Sequence, residues 1–172
     1  MGSSYEEPRI LYRNLGNGTF ADISATAGPG ITAAASGRGL AVGDLWNDGR
    51  ISAVITNMNA RPSMLVNQVR NPYHWIAIRA VGTKSNRDGI GAKISIRAGG
   101  RTMVDEVRSG SSYNSSSDMR VHFGLGTASR ADSILIRWPG GLEERFDNLL
   151  ADSIHILKEG TGAARTAEAK KP

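Results

Sequence analysis

The chain has 172 residues, with apolar residues at 40% and charged residues at 22%, which is ordinary globular usage and argues against wholesale disorder. It has no cysteine, so a disulfide framework and a thiolate zinc site are both excluded, and no apolar run reaches the roughly 20 residues that cross a bilayer. The net charge is +5, but Arg and Lys are scattered singly between apolar residues and few aromatics interleave with them, so a nucleic-acid partner is not expected.

Residues 1–8 form a leader. Met1–Glu6 lacks a basic region followed by an apolar one, so no secretory signal is expected there. From residue 9 the pattern is β throughout. Short alternating runs are separated by Gly, Asn, Asp and Ser clusters. The first five expected strands are 10–14, 20–23, 39–44, 51–57 and 63–67. Ile31–Ala35 is Ala-rich but short, and reads as loop or one helical turn. The turns of this block are dense in Asn and Gly, as in Asn14-Leu15-Gly16-Asn17-Gly18 and Asn47-Asp48-Gly49, residues that tolerate left-handed backbone.

After Asn71-Pro72 seven further strands are expected, at 74–81, 92–98, 101–109, 119–123, 133–138, 143–146 and 153–157. Their even spacing predicts a small β-sandwich or barrel over 73–159. Residues 160–172 read as a disordered tail, rich in Ala, Lys and Thr. The fold class is therefore all-β: one block over 9–70, then a seven-stranded sandwich.

The segment Asp44–Ser52 is the best chemical candidate. Asp44 and Asp48 stand four apart, Gly49 takes the sixth position and Arg50 the seventh, where a backbone carbonyl ligates in a calcium loop. Trp46 occupies the third position and Ser52 the ninth. Two carboxylates remain where a strong site offers more, so the expectation is a weak Ca2+ site at Asp44, Asp48, Arg50 and Ser52. The alternative is a structural turn whose carboxylates accept backbone N–H bonds.

Catalytic patterns are thin. Ser109–Ser117 with Asp118 and His122 lacks a Gly-x-Ser-x-Gly turn. His74, His122 and His155 are not at metal-ligand spacing. No catalytic residue is expected. Trp75, Phe123 and Trp138 read as core anchors. Arg137 and Arg145 beside Trp138 offer a possible glycan contact.

Two resemblances follow from these motifs. Leu11–Ile23 and Gly37–Gly49 resemble the FG-GAP or VCBS propeller repeat, whose acidic loop binds calcium. Asn71–Ile76, Gly82–Ala92, Val107–Tyr113, Arg120–Gly126 and Ile136–Gly141, in this order, resemble the ASPIC/UnbV domain. Together they are similar to the C-terminal part of the cartilage acidic protein family and its bacterial relatives. The resemblance implies one propeller-type blade, upstream blades before residue 9 that make the chain a C-terminal piece, and an extracellular or cell-surface place. It implies a non-catalytic recognition or scaffold module with a protein or glycan ligand. The alternatives are an accessory or maturation domain of an enzyme or assembly, or a structural cap on an upstream propeller. A cleft joining His122 to carboxylates would favour the enzyme-linked reading.

Overall fold

The computed structural model describes residues 5–164. The described residues are all-β, and their strands form four sheets, none closed into a barrel. β1 (Tyr12–Asn14) and β2 (Phe20–Asp22) make a short hairpin. A 3-10 turn (Ser24–Thr26) and one helical turn, α1 (Pro29–Thr32), follow, with Pro29 at the helix start, where its missing N–H costs nothing. β3 (Gly37–Gly43), β4 (Ser52–Asn57) and β5 (Ala60–Leu65) form a three-stranded antiparallel sheet in that order.

The second block is a sandwich of two sheets. One has the order β12–β6–β9, with β6 (His74–Val81) central, β9 (Val121–Gly126) antiparallel to it and β12 (Ser153–Lys158) parallel. The other has the order β13–β11–β10–β7–β8, from β7 (Lys93–Ala98), β8 (Arg101–Glu106), β10 (Arg130–Arg137), β11 (Glu143–Leu150) and β13 (Ala163–Ala164). The seven strands expected between 73 and 159 are all present.

Alternation supplies the core. Ile76 and Ile78 on β6, Val121 and Phe123 on β9, and Leu157 on β12 meet Ile94 and Ile96 on β7 and Ile134 and Ile136 on β10. At roughly 1.5–3 kcal/mol for each large apolar side chain buried, this cluster is the main stabilising term. Every buried apolar side chain among the described residues lies between Ile76 and Leu157. The first block has no buried core of its own. What it buries is polar: Ser36, Asp44 and Ser52.

Two buried carboxylates fasten the end of the sandwich. Glu144 accepts the Trp138 indole N–H at 2.6 Å and the Gly160 and Gly162 N–H groups at 2.9 and 2.8 Å. Order therefore extends beyond 159 into the expected tail, because Glu144 captures that backbone and β13 pairs with Glu144–Arg145. Residues 165–172 of that tail, and residues 1–4 of the leader, lie outside the described residues. Glu159 accepts the N–H groups of Thr83, Lys84 and Ser85 at 2.8, 2.8 and 2.7 Å, and the Ser85 hydroxyl at 2.9 Å. Burial alone would raise its carboxyl, but these donors outweigh it and hold the pKa at about 2.

Trp138 is 1% exposed. It is the core anchor expected from the sequence, but it offers no surface to a glycan. Arg137 and Arg145 lie at the surface beside Glu143 and Asp147.

Candidate functional site

The two blocks meet where the Asp44–Arg50 loop lies against β6 and β9. Asn47 and Gly49 take left-handed backbone, φ 57° and 85°, so the loop turns sharply enough to fold over the Asp44 side chain. Asp44 is 4% exposed. One of its carboxylate oxygens accepts the Asp48 N–H at 3.1 Å, and the other accepts the Gly49 N–H at 2.8 Å. Asp48 accepts the Arg50 N–H and the Arg50 Nε–H, each at 3.0 Å. The Arg50 side chain holds the Asp48 carboxyl below the ordinary carboxylate range. Ser52 turns away into β4, where its hydroxyl accepts the Asn67 N–H at 3.2 Å.

Arg120, at the approach to β9, reaches across from the second block. Its guanidinium donates to the Asp44 carbonyl at 2.9 Å, to Asn47 Oδ1 at 2.5 Å and to Asp118 Oδ2 at 2.6 Å. Burial pulls the Asp118 carboxyl up, but hydrogen bonds from the Arg120 side chain and backbone prevail and hold it low. The donor set expected for calcium does not fit a calcium cage. Such a cage draws on six to eight oxygen ligands turned towards one point. Here both Asp44 carboxylate oxygens accept backbone N–H groups, and Arg120 occupies the Asp44 carbonyl and Asn47. Asp48 is engaged by Arg50, and the Ser52 hydroxyl is taken by the Asn67 N–H beyond β5. Among the described residues no group of three or more His, Asp or Glu side chains converges as a metal site.

Next along β9 comes His122. Its ring stacks on Trp75 of β6 at a centroid distance of 5.6 Å and an interplanar angle of 8°. Its Nε2 is buried and has no hydrogen-bond partner. Burial lowers the His122 pKa, and the nearby Asp44 carboxylate and Gly49 carbonyl oppose that shift. Gly49 packs so tightly on the Trp75 indole that a methyl group there would collide with it.

Two depressions open on either side of His122. The smaller, about 310 Å³, is lined by Asp44, Asp105, Glu106, Arg108, Asp118 and Arg120 over an apolar floor. It does join His122 to carboxylates, but those groups are engaged elsewhere. Arg108 pairs with Asp105 at 2.9 Å and with Glu106 at 3.3 Å, and Asp118 is held by Arg120. The larger depression, about 600 Å³, is lined by Asp48–Arg50, Arg70, Asn71, Tyr73–Trp75, His122, Gly124 and Gly126.

The serine cluster has a different part from the nucleophile considered in the sequence. β3 is an edge strand. Its Leu40 N–H donates to Ser112 Oγ at 3.0 Å and its Val42 N–H to Ser117 Oγ at 3.2 Å, while the Asp118 N–H donates to the Val42 carbonyl at 2.9 Å. The 112–118 loop thus covers an edge that would otherwise present unpaired backbone groups.

These contacts set a sandwich whose loops grip the first block. Residues 82–164 match the ASPIC and UnbV family model. The ASPIC/UnbV match takes in Arg120, His122, the serine loop, Glu144 and Glu159, and it ends with β13. It begins one residue after β6, so the central strand that carries Trp75 lies outside it. No curated protein matches the chain. Sequence reasoning named the ASPIC/UnbV motifs but not Arg120, Asn47, Arg70 or Gly124 as site residues. The signal for Gly124 was a glycine inside a strand-like run; Arg120 carried none.

Proposed function

We propose that this protein is a non-catalytic recognition and scaffold module, in which the sandwich anchors a blade-like sheet that packs face to face with another β-sheet. The observation that carries the reading is the exposure of large apolar side chains on both faces of β3–β4–β5. Ala41, Val54 and Met64 stand in register on one face, and Leu40 and Val42 point to the other. Met64 is 52% exposed and Leu40 40%. A sheet apolar on both faces is built to be covered on both. Pro62, on the outer edge strand β5, discourages side-by-side pairing at that edge, which leaves the faces as the route of association.

The resemblance of 11–23 and 37–49 to FG-GAP repeats supports the identity of the covering element: further blades of a propeller, from the same polypeptide or another. The same resemblance supports an extracellular or cell-surface place. The non-catalytic reading is supported by the junction, where the carboxylates near His122 are held by Arg108, Arg120 or backbone N–H groups. The test is sedimentation velocity with a dye that fluoresces on apolar surfaces, comparing the chain with a Val54→Glu/Met64→Glu variant. Concentration-dependent association and dye binding in the parent, both lost in the variant, are expected. A parent that stays monomeric and dark at about 100 μM would overturn the reading.

A further inference from the structure

We propose that the groove floored by Gly124 and Gly126 is a binding site for a carboxylated saccharide. The inference deepens the recognition reading but uses a surface apart from the sheet faces. It starts from Gly124. Among the described glycines, Gly124 alone has neither a left-handed φ nor any atom within 4 Å of where a Cβ would stand. Neither its backbone nor its packing calls for glycine, and a glycine inside a strand weakens it. Gly124 stands opposite Trp75 in the β6–β9 register, two residues beyond His122 and on the same face. A side chain there would fill the groove. Gly126, two further on, also has open space over it. The floor is bare backbone, open to the close approach of a ligand.

The walls state the ligand's chemistry. Arg70 is exposed and has no ion-pair or hydrogen-bond partner among the described residues. Its planar fork suits a carboxylate. The groove's charged lining is Arg50 and Arg70 against the single carboxylate of Asp48, which Arg50 already engages. An anion is therefore favoured. Asn71 uses its Oδ1 to accept the Tyr73 N–H at 2.9 Å, which leaves its amide N–H groups as donors. His74 holds Asp152 through Nδ1 at 2.6 Å, so in the neutral ring Nε2 is left as an acceptor. Tyr73, 60% exposed, adds a ring face and a hydroxyl. A cation, mixed donors and acceptors, and an exposed aromatic ring around an open cleft match a polyhydroxylated ring bearing a carboxylate. An acidic peptide would use the cation but has few hydroxyls to engage the mixed polar groups.

The test is a titration of the full chain with a tetrasaccharide of alternating glucuronic acid and N-acetylglucosamine, followed by amide NMR shifts and calorimetry. Saturable shifts confined to 48–50, 70–75 and 122–126 are expected. Reducing the carboxylates to alcohols should weaken binding about tenfold or more, as should Arg70→Ala, since a charged hydrogen bond is worth roughly that factor. Gly124→Val should abolish binding while thermal unfolding is preserved, because space and φ both admit a side chain. If that variant misfolds, exposed Arg70→Ala still decides. No saturable shift, shifts elsewhere, indifference to Arg70→Ala, or tighter binding of tetraglutamate would overturn the proposal. Sedimentation reads the sheet-docking reading independently, so either can fail alone.

Discussion

Glu159→Gln removes the charge that gathers three backbone N–H groups and one hydroxyl, while nearly preserving shape. The folded pKa of about 2, against an ordinary value of 4.5, sets the scale. At 1.36 kcal/mol per unit the charged form contributes at most about 3.4 kcal/mol to folding; because the Gln carbonyl still accepts some of these bonds, about 2–3 kcal/mol is expected. The folded pKa lies below the unfolded one, so this stability is fully present above pH ~4.5 and drains as pH falls towards ~2. At pH 3 linkage leaves about two fifths of it. Urea unfolding of both proteins at pH 7 and pH 3 reads the difference, and subtraction removes the other carboxylates. A deficit of about 2–3 kcal/mol at pH 7 that more than halves at pH 3, with unchanged m-values, is expected. A deficit that is the same at both pH values would show that shape or packing, and not the anion, holds the Thr83–Ser85 turn.

Two other predictions concern the junction. Arg120→Ala removes three hydrogen bonds that join Asp44, Asn47 and Asp118; a loss of about 2 kcal/mol is expected, with amide exchange accelerated at 44–50 more than in β10, and uniform acceleration would count against a local clamp. Thermal unfolding in millimolar calcium, EDTA and magnesium should give superimposable curves, because Arg120 and backbone N–H groups hold the loop oxygens; a calcium-specific rise that Asp48→Ala removes would restore the metal reading.

Much of the fold was legible because alternation is local. His74–Val81 was placed with correct ends, since its apolar residues and flanking Asn-Pro sit in one short window. The strand expected at 119–123 lies at 121–126; its end was missed because Gly124 and Gly126 interrupt the apolar run. The strand expected at 143–146 continues to Leu150, carried by pairing with β10; its second half is largely exposed and lacks the apolar alternation that would have shown it. Ala163–Ala164 left no apolar signal; its order comes from Glu144, a residue 18 positions from Gly162. The acidic loop was recognised, but the arginine that clamps it was not. Arg120 lies 73 positions from Asn47 and 76 from Asp44, and nothing local pairs a lone arginine with a turn that distant. The serine-rich stretch read as a turn between strands; only the sheet order shows β3 as an edge in need of cover.

The junction explains why a block without a buried core is held in place. The Asp44 loop resembles a metal loop in spacing, yet its Asp44 carbonyl and Asn47 amide oxygen are held by an arginine belonging to the other block. A metal ion would make the loop's order depend on ion concentration. Arg120 makes it depend on the folding of β9 and the sandwich. The 112–118 loop adds a second dependence, since the β3 edge is satisfied by Ser112, Ser117 and the Asp118 N–H. Asp118 takes part in both: its N–H donates to the Val42 carbonyl of β3, and its carboxylate accepts from Arg120. Its backbone and side chain thus couple edge and loop to the same sandwich segment. The first block owes its place to polar contacts that the second supplies, and this frees its apolar side chains for the faces of the sheet, where another sheet can cover them.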